Sequence, residues 1–178
     1  MRIAFAGLLA GILVGSAAAA EPFGLKGVVI GEKVDLQKLY DNLGYVAHDS
    51  VLDGRRCQGL QCGDGRTGQL VGEPAEILLA IDDSRIQVIA AIFESKDFQK
   101  VLSAFSQKYG KPPESGKQMK QNLMGATFVD VSAFWRDSAG NTMGLASHWD
   151  ARHGALIIQS KSEVARDKAI HEKAKSDI

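Results

Sequence analysis

An excess of charge of either sign is missing from this chain. Its 178 residues carry 21 Lys plus Arg against 21 Asp plus Glu, so no long-range field draws it to nucleic acid or to an anionic lipid surface. Past the first residues, long apolar runs are missing too. Ile77 to Ile81 and Val88 to Phe93 are among the longest that follow, and they have the length of strands, well short of the roughly 20 residues that span a bilayer. Cysteine is scarce, with two in all. Familiar catalytic signatures are absent: there is no H-E-x-x-H, no G-x-S-x-G, and no carboxylate pair whose spacing compels a shared site. No residue set asks for a cofactor or a metal.

What is present begins at the N-terminus. Arg2, an apolar run from Ile3 to Val14, and the small residues Gly15, Ser16 and Ala17 to Ala20 are the three parts of a secretory signal peptide. Ala18 and Ala20 stand at the A-x-A positions before Glu21, and no cysteine sits at the cleavage site to take a lipid. Residues 1–20 are expected to be removed, leaving a soluble chain of 158 residues, with 20 Lys plus Arg against 21 Asp plus Glu. That length suits one α+β domain over 21–160 with a charged C-terminal helix or tail over 161–178. Export would take Cys57 and Cys62 into an oxidising compartment, where a disulfide between them is expected. Gly59 helps the intervening residues turn back, and so short a loop contributes only roughly 2 kcal/mol, a local clip.

Leu36, Leu39, Tyr40 and Leu43 recur at helical spacing between Asp35, placed as an N-cap, and Gly44, placed as a stop. Phe98, Val101, Leu102, Phe105 and Tyr109 repeat the pattern between Asp97 and the breakers Gly110, Pro112 and Pro113. The openings Asp35-Leu36-Gln37-Lys38-Leu39 and Asp97-Phe98-Gln99-Lys100-Val101 match in chemistry. After the first helix come a Gly-rich stretch around 57–72 and runs at 76–81 and 85–93; after the second come runs at 123–136, 142–149 and 155–159. Gly27 to Ile30 reads as a short strand in front. The expected fold is therefore α+β, two consecutive α-β-β-β units forming one antiparallel sheet with the helices packed on one face. The runs at 76–81 and 85–93 are apolar on both alternating sides, with Ile86, Val88 and Ala90 against Ile89, Ala91 and Phe93. A sheet with helices on one side then leaves an apolar second face, for a loop or for a partner.

Several groupings invite a functional reading. Gly63-Asp64-Gly65-Arg66-Thr67-Gly68 looks like a phosphate loop but fails on spacing and puts Arg66 where Lys is required, which leaves a turn-rich loop. Arg55, Arg56 and Arg66 cluster around the clip as a basic patch for an acidic partner or anion, or as solvated loop residues. His148 and His153 flank a turn and lack a third metal ligand. His48, Asp49 and Ser50 have triad chemistry, but neighbours on an extended chain face opposite ways. Phe134, Trp135 and Arg136 on one strand, with Trp149 on the next, gather the residue types that anchor protein interfaces. Alternation sets Trp135 opposite Phe134 and Arg136, so that one tryptophan is core and the other exposed. The interaction set is thus Trp135, Arg136, Trp149, Arg55, Arg56 and Arg66.

This order of elements resembles the beta-lactamase inhibitor protein and the outer-membrane assembly lipoproteins of the SmpA/BamE kind. It is also similar to uncharacterised proteobacterial periplasmic proteins in which a Lys-Tyr-Gly-Lys-Pro segment, here Lys108 to Pro112, closes the central helix before a strand carrying a Trp, here Trp135. The resemblance implies a periplasmic module that binds a protein of the cell envelope, as an inhibitor or an assembly factor, through a sheet face or an aromatic edge. A periplasmic enzyme acting on a cell-envelope substrate is the alternative.

Overall fold

The computed structural model describes residues 21–121, 125 and 127–176; the expected signal peptide lies outside them, as does Leu123, where the third-from-last strand was expected to begin. The chain opens with β1 (Gly24–Leu25) and β2 (Val28–Val29), a hairpin at the position of the expected leading strand. α1 (Leu36–Leu43) follows with its expected ends: the Asp35 carboxylate accepts from the Lys38 N–H at 3.0 Å, and Gly44 takes a left-handed conformation with φ 66° that closes the last turn.

The next stretch holds four two-residue strands, β3 (Val46–Ala47), β4 (Cys57–Gln58), β5 (Gly63–Asp64) and β6 (Gln69–Leu70). Two ten-residue strands come after it, β7 (Glu73–Asp82) and β8 (Arg85–Glu94), joined through Asp83 and Ser84, both at positive φ. α2 (Phe98–Tyr109) buries Phe98, Val101 and Phe105. β9 (Glu114–Gln121), β10 (Thr127–Arg136), β11 (Thr142–Ala146), β12 (His153–Gln159) and α3 (Lys161–Ser176) complete the described chain.

The main sheet has eight strands, all antiparallel, in the order β4-β7-β8-β12-β11-β10-β9, with β6 also pairing β7. The fold is α+β, as expected, but it does not divide into two α-β-β-β units. Four strands follow α2, because Glu114–Gln121 forms an edge strand with every residue exposed and none of the alternation that marks a strand in sequence. The Gly-rich stretch after α1 gives short pieces that run along the outer edge of β7, where β4, Gly65 and β6 bridge to it in turn. The glycines that suggest a phosphate loop serve this approach: a Cβ on Gly65 would overlap the Ile77 carbonyl oxygen, and one on Gly68 the Ile77 side chain.

Residues of α1 and α2 join one face of the sheet in a single core. Ala75, Ile77, Leu79 and Ile81 of β7, Ile86, Ile89, Ala91 and Phe93 of β8, Leu156 and Ile158, Met143 and Leu145, and Ala133 and Trp135 form that face. Ile86 was expected on the other side with Val88 and Ala90. A register irregularity between Ala80 and Ile81 sets Ile86 against Ile81 and Val88 against Ala80, so the extra residue, Gln87, turns Ile86 into the core.

α3, expected as a charged helix or tail, is a helix held against the sheet. It borders the opposite face of the sheet, so only α1 and α2 share one side. Its first turn is also anchored: Glu163 is 5% exposed and takes two hydrogen bonds from the Arg56 guanidinium, at 3.0 and 2.8 Å. Among the described residues no helix is long and apolar enough to cross a membrane.

Candidate functional site

The registers of the sheet generate the site. On the face away from α1 and α2, cross-strand neighbours line up in rows. One runs Leu78, Ala90, Ile157, Gly144, Phe134; the next runs Glu76, Ile92, Ala155, Ala146, Ser132; a third begins Ala80, Val88. Successive residues of a strand point to opposite faces, so strands apolar at nearly every position, such as β7 and β8, make both faces apolar. α1, α2 and the segments around them cover most of the first face, with Val129 of β10 left exposed on it. The second carries only the rim of α3 and one turn.

The result is an open trough. Leu78, Val88, Ala90, Ile92 and Ile157 form its floor, half-buried by one another, and Glu163, Arg166, Asp167 and Ile170 of α3 form a wall; this part encloses about 450 Å³. The floor continues across Ala146, Gly144, Phe134 and Ser132 into a second space of about 400 Å³. Trp149 borders both, and a third depression as well, in which it meets Glu76, Glu94, Asp150, His153 and Arg66. Its side chain is 61% exposed. Small residues in the rows, Ala155, Ala146 and Gly144, keep the floor low between the larger Ile92, Ile157 and Phe134.

The turn that carries Trp149 is built by Asp150. Its carboxylate accepts from the backbone N–H groups of Arg152 and His153 at 2.8 and 2.9 Å and from the His153 ring at 2.8 Å. Those donors, the Arg152 N–H foremost, pull the Asp150 pKa down to about 2. The Trp149 N–H donates back to the His153 carbonyl at 2.6 Å. An exposed indole thus sits on a backbone fixed from both sides.

The sequence-derived interaction residues fall on both sides of the sheet. Trp149 is at the trough. Trp135 is 2% exposed, packed in the core with its indole N–H donating to the Gly110 carbonyl at 2.9 Å, so it presents no surface. Strand parity decides this, since Trp135 points to the helix side and Phe134 to the trough. Arg136 is exposed next to Phe134, its guanidinium 5.9 Å from that ring.

The three loop arginines do not form a patch. Arg55 pairs with Asp53 and Arg66 with Asp64, each in solvent, whereas Arg56 turns inward to Glu163 and Asp82. The hydrogen bonds to Glu163 raise the Arg56 pKa above its ordinary value, and the guanidinium works as a strut between the clip and α3. That clip is formed: Cys57 and Cys62 are disulfide-bonded with their Cα atoms 5.3 Å apart, and Cys62 is fully buried.

A polar cluster that the sequence did not single out lies beside the β10–β11 pair. Lys120 forms an ion pair with Asp130, the Asp130 carboxylate accepts from the Ser147 hydroxyl at 3.1 Å, and His148 Nδ1 lies 2.9 Å from that hydroxyl. Burial works to raise the Asp130 pKa, but Lys120, Ser147 and the His148 backbone N–H together hold it below the usual carboxylate value. An ionised Asp130 takes the single Ser147 proton, so His148 Nδ1 donates to Ser147 and does not act as a base toward it. The serine stands between the acid and the imidazole, whereas a hydrolase relay puts the imidazole in the middle. His148 then packs its ring on Phe128, 4.7 Å away, while His153 binds Asp150, so the two histidines have separate partners. Among the described residues no three metal-ligating side chains converge.

No family model, curated protein or solved structure matches the chain. The function is therefore argued from the trough itself, since fold alone does not transfer activity. The sequence signal that leads to the trough is the two-faced apolar character of the runs at 76–81 and 85–93. Ile157, Gly144 and Phe134 carry no such signal individually and become part of the surface through register.

Proposed function

We propose that this chain is exported to the periplasm, loses residues 1–20, and acts there as a protein-binding module, an inhibitor or an envelope assembly factor. Its binding surface is the sheet face away from α1 and α2. The observation that carries the reading is the uncovered apolar trough with Trp149 standing at its border, 61% exposed on a turn locked by Asp150. An aromatic anchor beside a half-buried apolar floor is the arrangement in which interface energy concentrates. The Cys57–Cys62 disulfide supports an oxidising compartment.

The test is capture from a periplasmic extract of the native host by the mature protein, by Trp149→Ala and by Ile157→Lys. A specific protein retained by the wild type and by Arg55→Ala, and lost with both trough variants, is the expected outcome. Retention that neither variant reduces would sink the reading.

A further inference from the structure

The chemistry of the trough's border narrows the partner, provided the trough is the binding surface. Two carboxylates beside Trp149, Glu76 and Glu94, have no ion-pair partner among the described residues, and Asp150 adds a third charge there. Arg66 borders the same depression with its Nε 3.8 Å from Asp64, and the His153 ring is bonded to Asp150, so three carboxylates face one guanidinium there. The floor beyond that end is apolar, running from Ile92 past Ile157 and Leu78 to Ile170 on α3, with Glu163, Arg166 and Asp167 along the α3 wall. One end therefore offers negative charge and an exposed aromatic face, and the body offers hydrocarbon.

From the geometry we infer that the trough takes a peptide segment of a partner in which a lysine or arginine immediately precedes a run of apolar residues. The cation seats against Trp149 between Glu76 and Glu94, and the apolar run lies along Ile92, Ile157 and Leu78. Carboxylates and an indole face act on the same cation, the first by direct attraction and the second through the ring quadrupole. The same carboxylates repel the head of a fatty acid or an anionic phospholipid at the Trp149 end. The trough crosses β7, β8, β12, β11 and β10, four strand spacings or about 19 Å, which an extended segment of about six residues covers.

Trp149 supplies its own reporter, because Trp135 is buried. The probes are two capped hexapeptides, Lys-Val-Leu-Ala-Leu-Ile and Glu-Val-Leu-Ala-Leu-Ile, titrated into the mature, oxidised protein while the emission of Trp149 is followed, with Trp149→Phe as the background. The lysine peptide is expected to bind about tenfold more tightly, the size of a half-exposed cation's interaction with carboxylates and an aromatic face. That ratio is expected to fall toward one in the Glu76→Gln/Glu94→Gln variant, and to shrink as salt is raised. Equal binding of both peptides would overturn the charge preference while leaving the open face as a binding surface. Saturable binding of oleate with neither peptide bound would overturn both readings.

Discussion

Trp149 and Trp135 illustrate how one residue type is put to opposite uses by one register. Trp135 sits on the helix side of β10 and finds a carbonyl for its indole N–H inside the core, while Trp149 leaves the β11 ladder and rides a turn that Asp150 holds. Asp150 gives the turn a pH dependence whose sign follows from its pKa, lowered from 3.8 to about 2. A carboxylate whose pKa is depressed by folding contributes stability that is fully present above its unfolded value and lost as pH falls through the folded one. Between about pH 4 and pH 2 the turn is therefore expected to loosen, read as a change in the quenchable emission of Trp149. Asp150→Asn is expected to abolish that transition; an identical acid transition in the variant would contradict this account.

One continuous core joins α1 and α2 to the sheet, whereas α3 is joined by specific polar contacts. The sequence marks it as a charged, solvent-facing helix, since Val164 and Ile170 are its only large apolar residues over 161–176. Ser162 on Gln87 and Gln159 on Asp167 help to dock it, and its one buried charge, Glu163, meets Arg56 more than a hundred positions away in the chain, a contact that no local pattern announces. Removing one member of a buried pair leaves the other without its partner. With 23% of the Arg56 side chain still in solvent and Asp82 3.5 Å away as a second partner, Glu163→Ala is expected to cost about 2 kcal/mol, below the roughly 3–5 kcal/mol for breaking a fully buried pair. Urea unfolding measures it, and a midpoint equal to that of the wild type would refute the strut. β9 escapes sequence reading for a related reason: Lys117 and Lys120 along an exposed edge guard it against pairing with another chain, and residues chosen to stay wet carry no alternation. α1 and α2 are legible because Leu39 and Leu43, and Phe98, Val101 and Phe105, bury one stripe of each, although Tyr40, read into the same stripe, is exposed and Asp97 makes no side-chain cap bond.

For the whole molecule, the two faces of one sheet have different purposes, and neighbouring residues test the distinction. Leu79 is 1% exposed under the helices, and Leu78 is half-buried in the trough on the same strand. Leu79→Ala is expected to destabilise by about 3 kcal/mol, the cost of transfer plus a cavity, and Leu78→Ala by about 1 kcal/mol, because solvent or neighbours fill its place. Thermal or urea denaturation of the two variants checks this, and equal losses would show that the second face is core after all. The two amphipathic helices, the long strands β7 and β8, the single disulfide and the existence of a second apolar face were written in the sequence, because caps, alternation and close cysteine spacing act over a few residues. Which residues make up that face, which tryptophan reaches it, and what holds α3 beside it were decided only by the tertiary structure. Strand register, the bulge at Gln87 and the Arg56–Glu163 pair bring together positions far apart in the chain, and side-chain parity is not fixed until strands are paired.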